Sequence, residues 1–201
     1  VTIVELSGKT VGLGITGSHC TYAEVYPQIE RLISEGAHVV PIFSATMQAT
    51  GTRFGEAGEW AQRIEALTGE KGLCTIPDAE PLGPSHRLDC MVIAPCTGST
   101  LSRFAAAQTD SPVLMAAKAT LRNDRPVVLA ISTNDGLGLN MVNIARLMAT
   151  KNIFFVPFGQ DDWVHKINSL VADMALLPQT ISAALEKRQL QPVLIERTRP
   201  A

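Results

Sequence analysis

Three short stretches of this chain combine small hydroxyl residues with glycine at what read as strand ends. They are Gly12-Leu13-Gly14-Ile15-Thr16-Gly17-Ser18, Ser44-Ala45-Thr46 and Pro95-Cys96-Thr97-Gly98-Ser99-Thr100. Glycine lets a backbone come close to a ligand, and serine and threonine hydroxyls donate to phosphate oxygens. Helix starts add unpaired N–H groups and partial positive charge. Three such loops without clustered lysines suit a mononucleotide phosphate held by neutral donors. The plainer alternative is that serine and threonine simply cap helices. The first stretch contains G-x-G-x-x-G, but its first two glycines fall inside the strand. It is therefore not a dinucleotide fingerprint, and it lacks the Gly-Lys-Ser/Thr ending of a P-loop.

Other reactive side chains lie near these loops. Cys20 and Cys96 fall near expected helix N-termini, where a thiolate is favoured, and His19 precedes Cys20. A thiol nucleophile is one reading; small, partly buried cysteines are the other, since no Cys-His-Asn/Asp pattern stands out. The histidines (His19, His38, His86, His165) form no i, i+4 pair, so no metal site is expected. Arg53 sits in an otherwise uncharged loop beyond the second strand, where a guanidinium can grip a carboxylate with two parallel hydrogen bonds. Its alternative role is to pair with Glu56.

The elements that must position these groups follow from periodicity. The stretch from Leu88 to Asn134 reads as a strand (Cys90 to Ala94), a polar loop, a small-residue helix, a turn at Thr109 to Pro112, a second small-residue helix, and a strand (Pro126 to Ile131). The last strand ends in Ser132-Thr133-Asn134. That is half of a doubly wound sheet, and such sheets bind ligands at the carboxyl ends of their strands. Upstream, a strand from Thr10 to Thr16, a helix from His19 to Gly36 and a strand from His38 to Phe43 make one βαβ unit. Glu59 to Thr68 and Leu139 to Thr150 read as helices, Leu73 to Pro84 as irregular, and Ile153 to Pro157 as a strand. Phe158 to Lys166 reads as a loop. Leu170, Met174, Leu177, Ile181 and Leu185 form a stripe that predicts helix over most of Ser169 to Arg188. Pro192 to Glu196 reads as an edge strand. The flat, weakly charged helices Phe104 to Gln108 and Val113 to Thr120 offer faces for self-association.

Composition agrees with a globular α/β protein forming one domain over residues 1–201. The chain is 46% hydrophobic and 18% charged, with a net charge of −2 that argues against a nucleic-acid partner. No apolar run reaches membrane-spanning length, and the start lacks the plan of a signal peptide. Four cysteines without paired spacing point to a reduced, cytoplasmic setting.

Several of these motifs are similar to those of the homo-oligomeric flavin-containing cysteine decarboxylase family of flavoproteins. Ala94 to Thr100 resembles its APxTxNT loop, and Thr109-Asp110-Ser111 stands at its ADN-like turn. Pro126 to Ala130 with Asn134 resembles its RPVVLAPxMN segment. Gly14 to Ser18 and Ser44 resemble its two phosphate loops. The resemblance implies a three-layer, doubly wound, flavodoxin-like (Rossmann-like) sheet. It also implies FMN at an interface between protomers in a trimer or dodecamer. Thr16, Gly17, Ser18, Ser44, Thr46, Pro95, Thr97, Ser99 and Thr100 are then the cofactor-binding residues. The chain departs from the family at Ser99 (asparagine there) and at Ile131 and Thr133 (proline and methionine there). It also has no counterpart of the decarboxylases' catalytic histidine. The phosphate end of the site is thus better preserved than the ring end, and cysteine decarboxylation is not expected.

Longer blocks resemble the dipicolinate-forming branch of the family. They are Gly17 to Tyr22, Thr52 to Glu56, Thr109 to Thr120, Ser132 to Asn140, Lys151 to Asp161 and Leu176 to Thr180. That resemblance implies dehydration and oxidation of a hydroxytetrahydrodipicolinate to dipicolinate in the mother cell of a sporulating bacterium. The implied partner is a nicotinamide-binding A subunit, which carries NADP or NAD. The small dicarboxylate substrate makes Arg53 and Asn134 candidate carboxylate partners, and His19 joins them as a catalytic candidate. The alternative is a non-catalytic FMN- or phosphate-binding module that supports this partner.

Overall fold

Five apolar runs form the parallel part of the sheet in the computed structural model, which describes residues 6–52, 55–56 and 58–196. They are β1 (Thr10–Ile15), β2 (His38–Phe43), β3 (Cys90–Cys96), β4 (Val127–Thr133) and β5 (Ile153–Phe155). Their order is β2-β1-β3-β4-β5. β3 is buried at every position, as expected of a central strand covered on both faces. Two short strands, β6 (Phe158–Gly159) and β7 (Leu170–Ala172), pair antiparallel with each other, and β7 pairs antiparallel with Ser132 and Thr133 of β4. The chain reverses direction across the sheet between β1 and β3. At such a switch point the loops leave in opposite directions and open a crevice.

Helices flank the sheet: α1 (Tyr22–Ser34), α2 (Ala45–Ala49), α3 (Glu59–Thr68), α4 (Ile76–Ala79), α5 (Gly98–Ala105), α6 (Pro112–Arg122), α7 (Met141–Met148) and α8 (Leu177–Leu185). α6 lies close on β1. A Cβ at Gly14 would stand 2.7 Å from Val113 Cγ1, so only glycine allows this approach. Val113, Leu114, Ala116, Ala117 and Ala119 are buried within the chain. The Val113 to Thr120 part of the face expected to mediate self-association is therefore committed to the protein's own core, whereas Ala106, Ala107 and Gln108 of the other stretch are exposed. The exposed large apolar residues among those described lie elsewhere, at Leu137, Leu139, Met141, Val142, Met148, Trp163, Val164, Ile167 and Leu194. No helix among the described residues is long and apolar enough to cross a membrane.

Several boundaries differ from the periodic reading. β3 runs on through Pro95 to Cys96, with a register shift between Ile93 and Cys96. Pro95 has no N–H to donate, but its carbonyl accepts a hydrogen bond from the Thr16 hydroxyl at 2.6 Å. β4 extends over Ser132 and Thr133 because β7 pairs there. Leu170 to Ala172 is strand rather than helix, and α8 begins only at Leu177, with Pro178 in its first turn. A short apolar run does not reveal its period, and pairing with β4 and β6 decides the matter. Thr75 and Asp78 close a reciprocal capping box on α4 inside the segment expected to be irregular. Between Pro192 and Glu196 there is only an isolated bridge from Leu194 to Phe158. Pro27 lies within α1, and His19–Thr21 forms a separate 3-10 turn ahead of it.

Candidate functional site

The carboxyl ends of β1, β2 and β3 meet α2, α5 and α6 at one cavity of about 290 Å³. Its lining includes Thr16, Gly17, Ser44, Thr46, Thr97, Ser99 and Thr100, along with Arg103, Asp110 and Ser111. Three N-cap hydroxyls stand around it. Ser44 Oγ accepts from Met47 N at 3.3 Å, Thr97 Oγ1 from Thr100 N at 3.3 Å, and Ser111 Oγ from Leu114 N at 3.1 Å. A capping oxygen uses a lone pair, so its O–H remains able to donate. The Thr97 and Thr100 hydroxyls also lie 3.0 Å apart, so one donates to the other and leaves one free proton between them. Arg103 and Asp110, each about half exposed, approach to 3.5 Å and largely offset each other's charge.

This donor set fits a phosphate. Helix N-termini and neutral hydroxyls supply the hydrogen bonds, with one partly neutralised guanidinium nearby. A Cβ at Gly17 would sit 2.6 Å from Thr46 Cγ2, so the turn between β1 and α1 is packed against α2 with no space to spare. Whole-ligand pockets usually span roughly 300–1,000 Å³. The cavity suits a phosphate and the adjoining chain of a mononucleotide better than an entire flavin.

Thr16 works differently from its neighbours. It is 1% exposed. Its hydroxyl donates to Pro95 O and accepts from Thr97 N at 3.1 Å. Its proton is therefore committed within the protein, and it stitches the end of β1 to the end of β3. Tyr22 adds a third tie, donating its hydroxyl to Thr16 O at 2.6 Å. Burial raises the Tyr22 pKa, which keeps that donor protonated. Pro95 is buried in the strand and contributes only this carbonyl.

Ser18 and Asn134 do not face the phosphate cavity. They line a second one of about 320 Å³, formed with the ends of β4 and β7. Ser18 Oγ and Ser132 Oγ are 2.8 Å apart at its edge. His19 lies against Tyr22, with ring centroids 4.9 Å apart. Its Nε2 is shut from solvent without a hydrogen-bond partner, and burial lowers its pKa, so the ring is neutral at neutral pH. Arg53 lies outside the described residues. The sequence reading missed Arg103 of the phosphate cavity; its only signal is its place on the helix that Thr97 caps.

The cysteines divide by burial. Cys20 is exposed, Cys74 is partly exposed, and Cys90 and Cys96 are buried. Burial pushes the Cys96 thiol up to about 12 and raises Cys90 as well. Cys96 therefore cannot supply the thiolate that its position near a helix start suggested. An aromatic disulfide reagent is expected to label Cys20 fast and Cys74 slowly in the native protein. Cys90 and Cys96 should react only after unfolding. Rapid labelling of Cys96, located by peptide mapping, would contradict this packing.

The chain belongs to the Flavoprotein family, whose model matches residues 3–175. It is 63% identical over 192 residues to the B subunit of dipicolinate synthase from Bacillus subtilis (strain 168), covering 96% of each chain. A crystal structure of the dipicolinate synthase B subunit from Bacillus halodurans superposes with a TM-score of 0.89 at 60% identity, covering 97% of this chain and 100% of that one. An FMN-dependent cysteine decarboxylase shares the fold at 20% identity and a TM-score of 0.66, over 90% of this chain and 98% of that one.

Proposed function

We propose that this chain acts as the B subunit of a dipicolinate synthase. In that role it works in the dehydration and oxidation of a hydroxytetrahydrodipicolinate to dipicolinate during sporulation. The observation that carries this reading is the identity over nearly the whole of both chains with a protein of that name. The same identity does not favour a merely supporting module. The partner is the A subunit of dipicolinate synthase, with NADP or NAD bound there, and the substrate is a small dicarboxylate.

FMN is the cofactor that family membership and the phosphate cavity support. The Gly17 main chain, Ser44, Thr46, Thr97, Thr100 and Ser111 would hold its phosphate. When bound, the flavin supplies a two-electron acceptor. The protein's own part is to bind and orient: neutral hydroxyls and helix starts grip the phosphate, while the Tyr22–Thr16–Pro95 ties hold the loop rigid. Self-association into a trimer or a dodecamer would bury the apolar side chains exposed at residues 137–142 and 163–167.

The test is reconstitution. Purified chain mixed with its nicotinamide-binding partner, FMN and nicotinamide nucleotide is expected to form dipicolinate faster than the partner does by itself. An equal rate without this chain would remove it from the reaction. Thr97→Val keeps the shape of the side chain but removes the hydroxyl that stands at the phosphate cavity and caps the start of α5 by accepting from Thr100 N. It is expected to weaken FMN binding about tenfold or more, on the scale of roughly 1.5–3 kcal/mol for a hydrogen bond to a charged group. Flavin fluorescence quenching measures it.

A further inference from the structure

The second cavity has a lining that a phosphate pocket does not need. Antiparallel pairing of β7 with Ser132 and Thr133 brings the loop between β6 and β7 against the end of β4. The loop is tied internally, by Lys166 N to Asp162 O at 2.9 Å, Ser169 N to Lys166 O at 2.8 Å and Gln160 Nε2 to Ile167 O at 2.8 Å. It presents Asp161 and Lys166 to the cavity opposite Ser18, Glu24 and Asn134. Asp162, next in sequence, has its carboxylate engaged by the Val164 and His165 amides and the His165 ring. Asp161 differs: its Oδ1 is shut from solvent and has no hydrogen-bond partner. Among the described residues the Lys166 ammonium has no ion pair. A carboxylate with one oxygen shut from solvent and undonated is costly, so a positively charged N–H partner brought to the rest of the group from the cavity offsets that cost.

The larger cavity, about 610 Å³ beside β5, shows the contrast. There the cations are already paired: Lys151 lies 3.0 Å from Asp124, and Lys187 bonds Asn152 Oδ1 at 3.1 Å. Gln189 clasps the Phe155 N–H and carbonyl at 2.8 and 2.7 Å. Nothing in that lining waits for a partner.

We infer that the cavity between Ser18, Asn134, Asp161 and Lys166 binds the head of a cyclic amino- or imino-acid, with carboxylate and protonated ring nitrogen on adjacent atoms. Lys166 and the Asn134 amide take the carboxylate, and Asp161 takes the N–H of the ring. Two carboxylates (Glu24 and Asp161) beside one lysine disfavour a ligand that carries negative charge alone, and favour a zwitterionic head. This deepens the dipicolinate synthase reading and rests on it, because the substrate of that reaction is a cyclic imine flanked by carboxylates.

Two probes of similar size test the assignment. Pipecolate carries a protonated ring nitrogen beside its carboxylate; cyclohexanecarboxylate has the carboxylate alone. In NMR titrations of the whole chain, pipecolate is expected to bind about tenfold more tightly, near 1.4 kcal/mol. Asp161→Asn should remove most of that preference. Lys166→Gln should weaken both probes, and Lys166→Arg should restore them. Unchanged melting temperatures confirm that the variants fold. Equal binding of the two probes by the native protein, or a preference that survives Asp161→Asn, overturns the assignment. Reconstitution with the nicotinamide-binding partner separates this failure from that of the wider reading. If the native pair makes dipicolinate while Asp161→Asn and Lys166→Gln leave KM unchanged, the cavity assignment falls alone. If pipecolate binds as expected but the native pair makes no dipicolinate, the cavity stands and the synthase reading falls.

Discussion

Phe43→Ala is expected to destabilise the protein by about 3–5 kcal/mol, the usual cost of truncating a buried aromatic ring. Phe43 closes β2 and is fully buried. Its ring lies against Gly72 so closely that a Cβ there would meet Phe43 Cε2. The backbone around it has no slack. Phe43 N donates to Leu73 O and Leu73 N to Pro41 O, each at 2.9 Å, while Gln48 Nε2 donates to Phe43 O and Cys74 O, also at 2.9 Å. These bonds keep the segment at residues 72–74 from collapsing into the space a lost ring would leave. Phe43→Leu, which refills most of the volume, should cost less than about 1.5 kcal/mol. Urea denaturation of both variants measures the difference. A loss below about 1 kcal/mol for Phe43→Ala would mean that the cavity closes and that these bonds do not hold residues 72–74 in place. Because Ser44 follows directly, the alanine variant should also bind FMN more weakly.

Thr16→Val is expected to cost about 3 kcal/mol although it changes almost no volume, because it leaves buried polar groups unsatisfied at roughly 1–3 kcal/mol each. The groups are Pro95 O, which loses its donor, and Thr97 N, which loses its acceptor. Thr16→Ser keeps the oxygen and loses one methyl, about 0.8 kcal/mol by burial. Valine should therefore be worse than serine, the reverse of the order expected if only apolar packing mattered. The valine variant should also release the turn at Gly17 from Thr97 and reduce affinity for FMN. If serine and valine prove equally destabilising, the hydroxyl does not join β1 to β3 as described.

The period of the apolar residues was enough to place β2, at His38 to Phe43, and α3, at Glu59 to Thr68. Both are bounded by local signals: a left-handed glycine ahead of β2 (Gly36) and glycines at both ends of α3 (Gly58 and Gly69). Local signals are complete in the sequence because they involve residues a few positions apart. The parallel α/β architecture was legible for the same reason, since alternating buried runs and amphipathic helices have few other ways to pack. The hydroxyl-rich loops could be read as strand ends that converge.

The division of those loops between two cavities could not be read. Ser18 is adjacent to Gly17 but faces the opposite crevice, and Thr16, one step earlier, turns its hydroxyl inward to Pro95. Side-chain direction at a strand end depends on which neighbour accepts the bond, and that neighbour is 79 positions away. Leu170 to Ala172 shows the same limit in the backbone. Three apolar residues suit a helix or a strand equally, and only the free edge of β4 at Ser132 and Thr133 makes them a strand. That pairing also carries Asp161 and Lys166 to the second cavity, because contacts between distant segments exist only once the chain has folded.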